Sequence, residues 1–184
     1  TTILSCITGY LIQTSYIKLK KNRISNFYSC NQHKIRGMIE KEDYIELRSI
    51  GFSNSSHVFL IFLIESEELL AIKKFNNING ESQKLIDREI RNYKKINHPF
   101  LSRYYGETKE NHIIFEYING STLSNIKEYH FSEEEKLTII FQLLSVIDYL
   151  HENHFIYRDL KPNNVMIDEN KTAVLIDFDR MIIE

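Results

Sequence analysis

The residues able to do chemistry lie in a few short stretches. In Tyr157-Arg158-Asp159-Leu160-Lys161-Pro162-Asn163-Asn164 an Asp, a Lys and an Asn stand at intervals of two and three. An Asp can orient an attacking hydroxyl and accept its proton, a Lys can neutralise charge on a transferring phosphoryl group, and an Asn can hold a metal ion. Asp177 follows an apolar strand-like run, where a carboxylate suits Mg²⁺ bridging two phosphates. Further upstream, Glu89 falls on the apolar face of a helical pattern, and Lys73 closes the apolar run Leu70-Ala71-Ile72-Lys73. A carboxylate buried there needs a partner because an isolated buried charge is very costly, and Lys73 is the candidate. The other reading is that Glu89 merely edges the stripe and reaches water. Taken singly, an Asp in a loop is more often decoration than chemistry, and Glu89 is as readily a surface residue as a buried one; the signal is their co-occurrence in this order.

These groups need elements to hold them. Tyr44-Ile45-Glu46-Leu47 alternates weakly, Val58 to Ile64 is an unbroken apolar run, and Leu69 to Phe75 is apolar again, which predicts a three-strand meander ending in Lys73. From Ser82 to Ile96, Ile86, Glu89, Ile90, Tyr93 and Ile96 share one helical face, and Pro99 follows. Leu101 to Tyr105 and His112 to Ile118 are short strand candidates. Ser132-x-x-Glu135 reads as a capping box opening a long helix over 133–152, with Ile140, Leu143, Leu144, Ile147 and Leu150 as its buried stripe. Val165-Met166-Ile167 and Ala173 to Ile176 are the last strands predicted, and no internal repeat is visible.

Composition narrows the function classes. The 184 residues are 42% hydrophobic and 26% charged, within the globular range and outside the disordered and collagenous classes. Twenty-three basic against twenty-five acidic side chains leave a net charge of -2, so no global field draws nucleic acid, and none is expected as a partner. Cys6 and Cys30 fit no zinc spacing or CxxC pattern and are too few for a disulfide framework, which points to a reducing compartment, the cytoplasm first and the nucleus as the alternative. No charge occurs from Thr1 to Ile17, and Lys18-Leu19-Lys20-Lys21-Asn22-Arg23 follows like the basic flank of a membrane segment. That run is short for a span and diluted by polar residues. An accessory helix carrying Ile3, Leu4, Ile7, Leu11 and Ile12 is favoured over membrane contact through residues 1–23. Residues 21–42 read as linker, so 1–42 is expected to be an extension of a unit spanning 43–184.

Over 43–184 the motifs resemble the eukaryotic protein kinases. The resemblance implies an α+β fold with a β-rich small lobe (43–117), a hinge (116–120) and the start of a helical large lobe (121–184). By the same matching Asp159 is the catalytic base, in a catalytic loop with Tyr157 in the usual His place, and Asn164 and Asp177 hold Mg²⁺. Lys161 after Asp159 is what the serine/threonine class shows. Lys73 matches the lysine that binds the α and β phosphates of ATP, and Glu89 its helix partner. Phe115 stands as gatekeeper, backbone from Glu116 to Ile118 meets the adenine edge, and Val58, Ala71 and Met166 sandwich the ring. Tyr93, Tyr104, Tyr157 and Phe178 are expected to stack as one spine. The family's cofactors are ATP and Mg²⁺, and its partner is a protein substrate.

The sequence departs from that family in two motifs. Gly51-Phe52-Ser53-Asn54-Ser55-Ser56-His57-Val58 keeps only the first glycine of the phosphate-covering loop, with Ser53 and Ser56 in place of later ones. Serine does not take glycine-only backbone conformations, so weaker phosphate clamping is expected. Asp179 replaces the Gly after Asp177-Phe178, and Asp is among the residues that tolerate φ > 0. The resemblance reaches Glu184, short of the family's activation segment and lower helices, and Thr1 is not Met; a fragment of a longer kinase is the expectation, inactive alone, with apolar surface bared on the long helix. The favoured function is phosphoryl transfer from ATP to Ser or Thr. A pseudokinase or nucleotide-binding regulatory module is the alternative, and a small-molecule phosphotransferase ranks last.

Overall fold

The structure is a computed structural model and describes residues 38–53, 55–76, 80–126 and 130–184. Its first sheet is the expected meander of β1 (Tyr44–Phe52), β2 (Ser56–Leu63) and β3 (Glu68–Phe75), all antiparallel. Helix α1 (Gly80–Tyr93) follows, and β4 (Tyr104–Glu107) and β5 (Ile113–Glu116) return to give the order β1-β2-β3-β5-β4. β2 and β3 pair without interruption, Val58 opposite Lys73 and Leu60 opposite Ala71. Leu70, Ala71 and Ile72 are all buried, so the middle of β3 is covered on both faces. Leu70 and Ile72 join Ile39, Ile61, Leu63 and Ile114 in one core cluster, which leaves Ala71 and Lys73 on the opposite face.

The second half comprises β6 (Gly120–Thr122), α2 (Glu133–Glu152), β7 (Phe155–Ile156), β8 (Val165–Asp168), β9 (Ala173–Leu175) and β10 (Ile182–Ile183). β6, β8 and β9 form a sheet, and β7 pairs with β10. Gly120 is required where β6 meets β8, since a Cβ there would lie 2.0 Å from the Ile167 carbonyl oxygen. The predicted capping box opens α2: Ser132 Oγ accepts from the Glu135 amide at 3.2 Å, and Glu135 Oε2 accepts from the Ser132 amide at 2.9 Å.

Several elements differ from the sequence expectation. α1 begins at Gly80 and ends at Tyr93, and Lys94 and Lys95 tighten its last turn while Ile96 is buried beyond it. The strand expected at Leu101–Tyr105 is displaced to Tyr104–Glu107, and Leu101 makes only an isolated bridge to Leu175. β5 is shorter than His112–Ile118. The stripe assigned to α2 holds at Leu150, which is buried, and at Leu143 and Ile147, which are partly buried against the core, but not at Ile140 and Leu144. The buried positions of the helix are Thr138, Ile139, Gln142, Val146 and Leu150, whereas Ile140 and Leu144 are more than half exposed. Gln142 turns inward where its Oε1 accepts from the Ala173 amide at 2.9 Å, although its Nε2 is buried without a partner among the described residues, and Thr138 Oγ1 is satisfied within the helix by the Glu134 carbonyl at 2.9 Å.

Residues 38–43, assigned mostly to linker, dock on the first sheet instead. The Ile39 amide donates to the Glu107 carbonyl at 2.9 Å, its side chain is buried, and Lys41–Asp43 form a 3₁₀ turn leading into β1. The accessory helix or membrane contact expected within residues 1–23 lies outside the described residues. No helix among the described residues is long and apolar enough to cross a membrane.

Candidate active site

β3 and α1 build the first half of the site. Lys73, on the Ala71 face of β3, donates from Nζ to Glu89 Oε1 at 2.7 Å and to Asp177 Oδ1 at 3.1 Å. Glu89 is only 2% exposed, so it pairs rather than reaching water. Burial pushes its carboxyl up to about 7, with Lys73 pulling the other way. Burial opposes charge on Lys73 too, but Glu89 and Asp177 together outweigh it and hold the ammonium protonated above lysine's ordinary range. One cation thus joins a strand, a helix and the loop after β9.

Asp177 sits in the left-handed region with φ 65°. For a residue other than Gly that conformation needs support from its surroundings. The preceding residue supplies it: the Ile176 amide donates to the Asn164 carbonyl at 2.9 Å, and the Tyr157 hydroxyl donates to the Ile176 carbonyl at 2.6 Å. Asp179, the replacement for the family's Gly, is not among the described residues of positive φ, so it meets no such backbone demand. Its carbonyl accepts from the Arg88 guanidinium at 2.6 Å, while its carboxyl Oδ1 is buried without a hydrogen-bond partner. Burial, with the Asp177 charge adding, pushes the Asp179 carboxyl up.

The second half is the loop between β7 and β8. Arg158, also left-handed at φ 70°, turns the chain so that Asp159 Oδ2 accepts from Lys161 Nζ at 2.7 Å and Asn164 Nδ2 at 2.8 Å. Asn164 Nδ2 also reaches the Asp159 carbonyl at 3.0 Å, and a 3₁₀ turn with Pro162 first presents the Asn. Burial acts upward on the Asp159 pKa, but the bonds from Lys161 and Asn164 outweigh it and hold the carboxyl below its usual range. Arg180 lies 3.9 Å from Asp159 Oδ1.

Aromatic contacts join these halves. Tyr104 stacks on Tyr93 at 6.1 Å between centroids, Tyr93 meets Phe178 edge-on at 4.7 Å, and Phe178 meets Tyr157 at 5.9 Å. The four rings expected to stack therefore form one chain, and Phe115 also stacks on Tyr93 at 6.3 Å.

The nucleotide-loop residues occupy the β1–β2 turn. Ser53 Oγ accepts from the amides of Ser55 and Ser56 at 3.3 and 3.1 Å, and the Ser53 amide donates to the Ser56 carbonyl at 2.7 Å. None of Gly51, Ser53 and Ser56 has positive φ, and a Cβ on Gly51 would make only ordinary contact with Val58. The premise behind weakened clamping, a glycine-only conformation that serine cannot adopt, thus does not hold in this arrangement. Val58 and Ala71 share a face of adjacent strands, whereas Met166 stands on β8 between Thr122 and Val174. Glu116 ends β5, and the amide of Ile118, a buried residue, has no acceptor among the described residues.

A sequence model described as Protein kinase domain matches residues 44–181, about three quarters of the chain. The chain belongs to the protein kinase domain family. It is 33% identical to a probable serine/threonine-protein kinase KIN1 homolog of Encephalitozoon cuniculi, covering 87% of this chain and 32% of that protein. Cyclin-dependent kinase F-3 of Oryza sativa subsp. japonica is 33% identical over 74% of this chain and 33% of its own length. An Aurora kinase of Eremothecium gossypii is 30% identical over 70% of this chain and 37% of its own length. The chain spans about a third of the length of each of these three relatives.

Sequence reasoning did not single out Arg88, Asn92 or Arg180 in this kinase domain. Asn92 Nδ2 donates to the carbonyls of Phe178 at 3.3 Å and Met181 at 2.9 Å. The signal available was an amide three residues after Glu89, on the same helix face, where the apolar pattern calls for a hydrophobe.

Proposed function

We propose that this kinase domain transfers the terminal phosphoryl group of ATP to Ser or Thr hydroxyls of protein substrates. The observation that carries the reading is Lys73 bonded to Glu89 and Asp177 at once, beside an ionised Asp159 with Lys161 and Asn164. In this reading Lys73, held by buried Glu89, binds the α and β phosphates. Val58, Ala71 and Met166 enclose the adenine ring, and the backbone from Glu116 to Ile118 bonds its edge. Gly51, Ser53 and Ser56 form the loop over the phosphates. Asp159 orients the attacking hydroxyl and takes its proton, and its lowered pKa keeps it the carboxylate that accepts the hydroxyl's hydrogen bond. Lys161 neutralises charge on the transferring group, and its position favours Ser/Thr substrates, in keeping with the name of the Encephalitozoon cuniculi relative.

Mg²⁺ fits the donor set. Asp177 offers a half-exposed carboxylate, and Asn164, its Nδ2 engaged by Asp159, leaves an amide oxygen. Among the described residues no three His, Cys, Asp or Glu side chains converge on one metal position. Two hard oxygen donors without an all-protein cage suit an ion that keeps waters and shares substrate phosphates. When bound, the ion neutralises phosphate charge.

The test is Mg·ATP-dependent phosphorylation of Ser/Thr peptide pools by the full chain. Asp159→Asn lowers turnover by about 10²- to 10⁴-fold with nucleotide affinity nearly unchanged. Equal turnover in the variant removes Asp159 as base. The second reading, a nucleotide-binding regulatory module, is favoured by Asp179 beside Asp177. Nucleotide binding without turnover in the wild type selects it.

A further inference from the structure

Helix α1 reaches the segment after β9 through more than the Lys73 cluster. Arg88, immediately before Glu89, donates to the Asp179 carbonyl at 2.6 Å. Asn92, nearly one helical turn after Glu89, spans the carbonyls of Phe178 and Met181 at 3.3 and 2.9 Å. Asn92 is 3% exposed, and Phe178 and Met181 are fully buried. A buried amide donor aimed at buried carbonyls has no water to exchange with, so these bonds survive only while α1 and the segment stay in register. On its far side the same segment is held by β10, where Ile182 and Ile183 pair with Ile156 and Phe155.

We infer that Asn92, assisted by Arg88, is a positioning residue that makes α1 and residues 177–181 one body, so that Glu89 and Asp177 arrive at Lys73 together. The contacts require no phosphate and no further segment, since every donor and acceptor lies within this chain. A displacement of α1 that breaks the Lys73–Glu89 bond must also release the carbonyls of Phe178, Asp179 and Met181. The converse holds as well, and the side chain of Asp177 then loses its fixed distance to Lys73. The catalytic consequence rests on the proposed kinase activity; the mechanical one does not.

Hydrogen exchange on the full chain tests the mechanical claim without any turnover. In the wild type, amides of 178–181 and of the last turns of α1 open together. Asn92→Ala, which removes both donations, speeds exchange at 178–181 by about 10-fold and uncouples it from α1, leaving α2 and β8 unchanged. Arg88→Met speeds the same amides by a smaller factor and guards against a failure of Asn92→Ala to fold. Unchanged exchange at 178–181 in a folded variant overturns the inference, and so does a uniform rise across α2 and β8. If the wild type phosphorylates peptides, Asn92→Ala lowers kcat about 10-fold while the KM for protein substrate stays near wild type. A rise in that KM with unaltered kcat overturns the catalytic part. A wild type without turnover refutes the proposed function alone, and the exchange result still decides the role of Asn92.

Discussion

Tyr157→Phe removes a hydroxyl at the centre of the site that bonds the Ile176 carbonyl and also interacts with the Asn164 side chain. The ring is 2% exposed, and its hydroxyl donates to the Ile176 carbonyl at 2.6 Å, one residue before the left-handed Asp177. Phe keeps the edge contact with Phe178 at 5.9 Å, so packing is nearly conserved and only the hydroxyl is lost. A lost bond of this kind costs about 1 kcal/mol, and a carbonyl left unpaired costs about 1 to 3. The bond is part-buried, which places the expected cost at about 1 to 2 kcal/mol. Urea unfolding at pH 7 reads this directly, and a drop in Tm of about 2 to 8 °C accompanies it for a domain of this size. Tyr157→Leu, which also gives up the ring contact, loses about 1 kcal/mol more. If Tyr157→Phe unfolds at the wild-type urea midpoint while Tyr157→Leu does not, the ring supports the site and the hydroxyl bond is immaterial. The account of how Asp177 is held then fails.

Other predictions follow from single contacts. Gly120→Ala drives a Cβ onto the Ile167 carbonyl and must part β6 from β8, costing about 1 to 3 kcal/mol in chemical denaturation; a neutral substitution contradicts that close approach. His112 has its pKa lowered by burial, then by Lys74, with Glu110 opposing. The unfolded chain therefore binds a proton below pH 6.5 that the folded one resists, so stability is lost as pH falls through that range. His112→Gln flattens this slope in urea titrations between pH 5 and 7, and a slope of opposite sign refutes the assignment. Lys73→Ala and Glu89→Ala act as a unit: the double variant loses about as much nucleotide-dependent activity as either single one, and additive losses argue against the pair.

The parts of this fold legible in sequence are those whose side chains report on their own element. The strand runs around Leu60 and Ile72, the capping box at Ser132 and the odd acid Glu89 each carry a local signature, and each lies where that signature predicts. The hidden parts are polar residues that turn inward because a distant backbone group awaits them. Gln142 meets the Ala173 amide thirty-one residues away, and Asn92 meets Phe178 and Met181 across eighty-six and eighty-nine. An apolar-periodicity reading gives no weight to such residues, and it therefore put Ile140 and Leu144 on the buried face of α2 where Thr138 and Gln142 contribute instead.

The glycine substitutions carry the same lesson in backbone terms. Replacing the Gly after Asp177-Phe178 with an Asp that tolerates φ > 0 suggests a left-handed backbone at Asp179, yet the left-handed residue is Asp177 itself. Its conformation is stabilised by Tyr157 and Asn164 through Ile176, and Asp179 is free to present its carbonyl to Arg88. In the β1–β2 turn, Ser53 caps the amides of Ser55 and Ser56 with its own oxygen. Both departures from the glycine pattern thus replace backbone freedom with side-chain or helix contacts. What they alter is how readily the site rearranges, because a turn held by its own hydroxyl and a loop held by α1 must break bonds before they move.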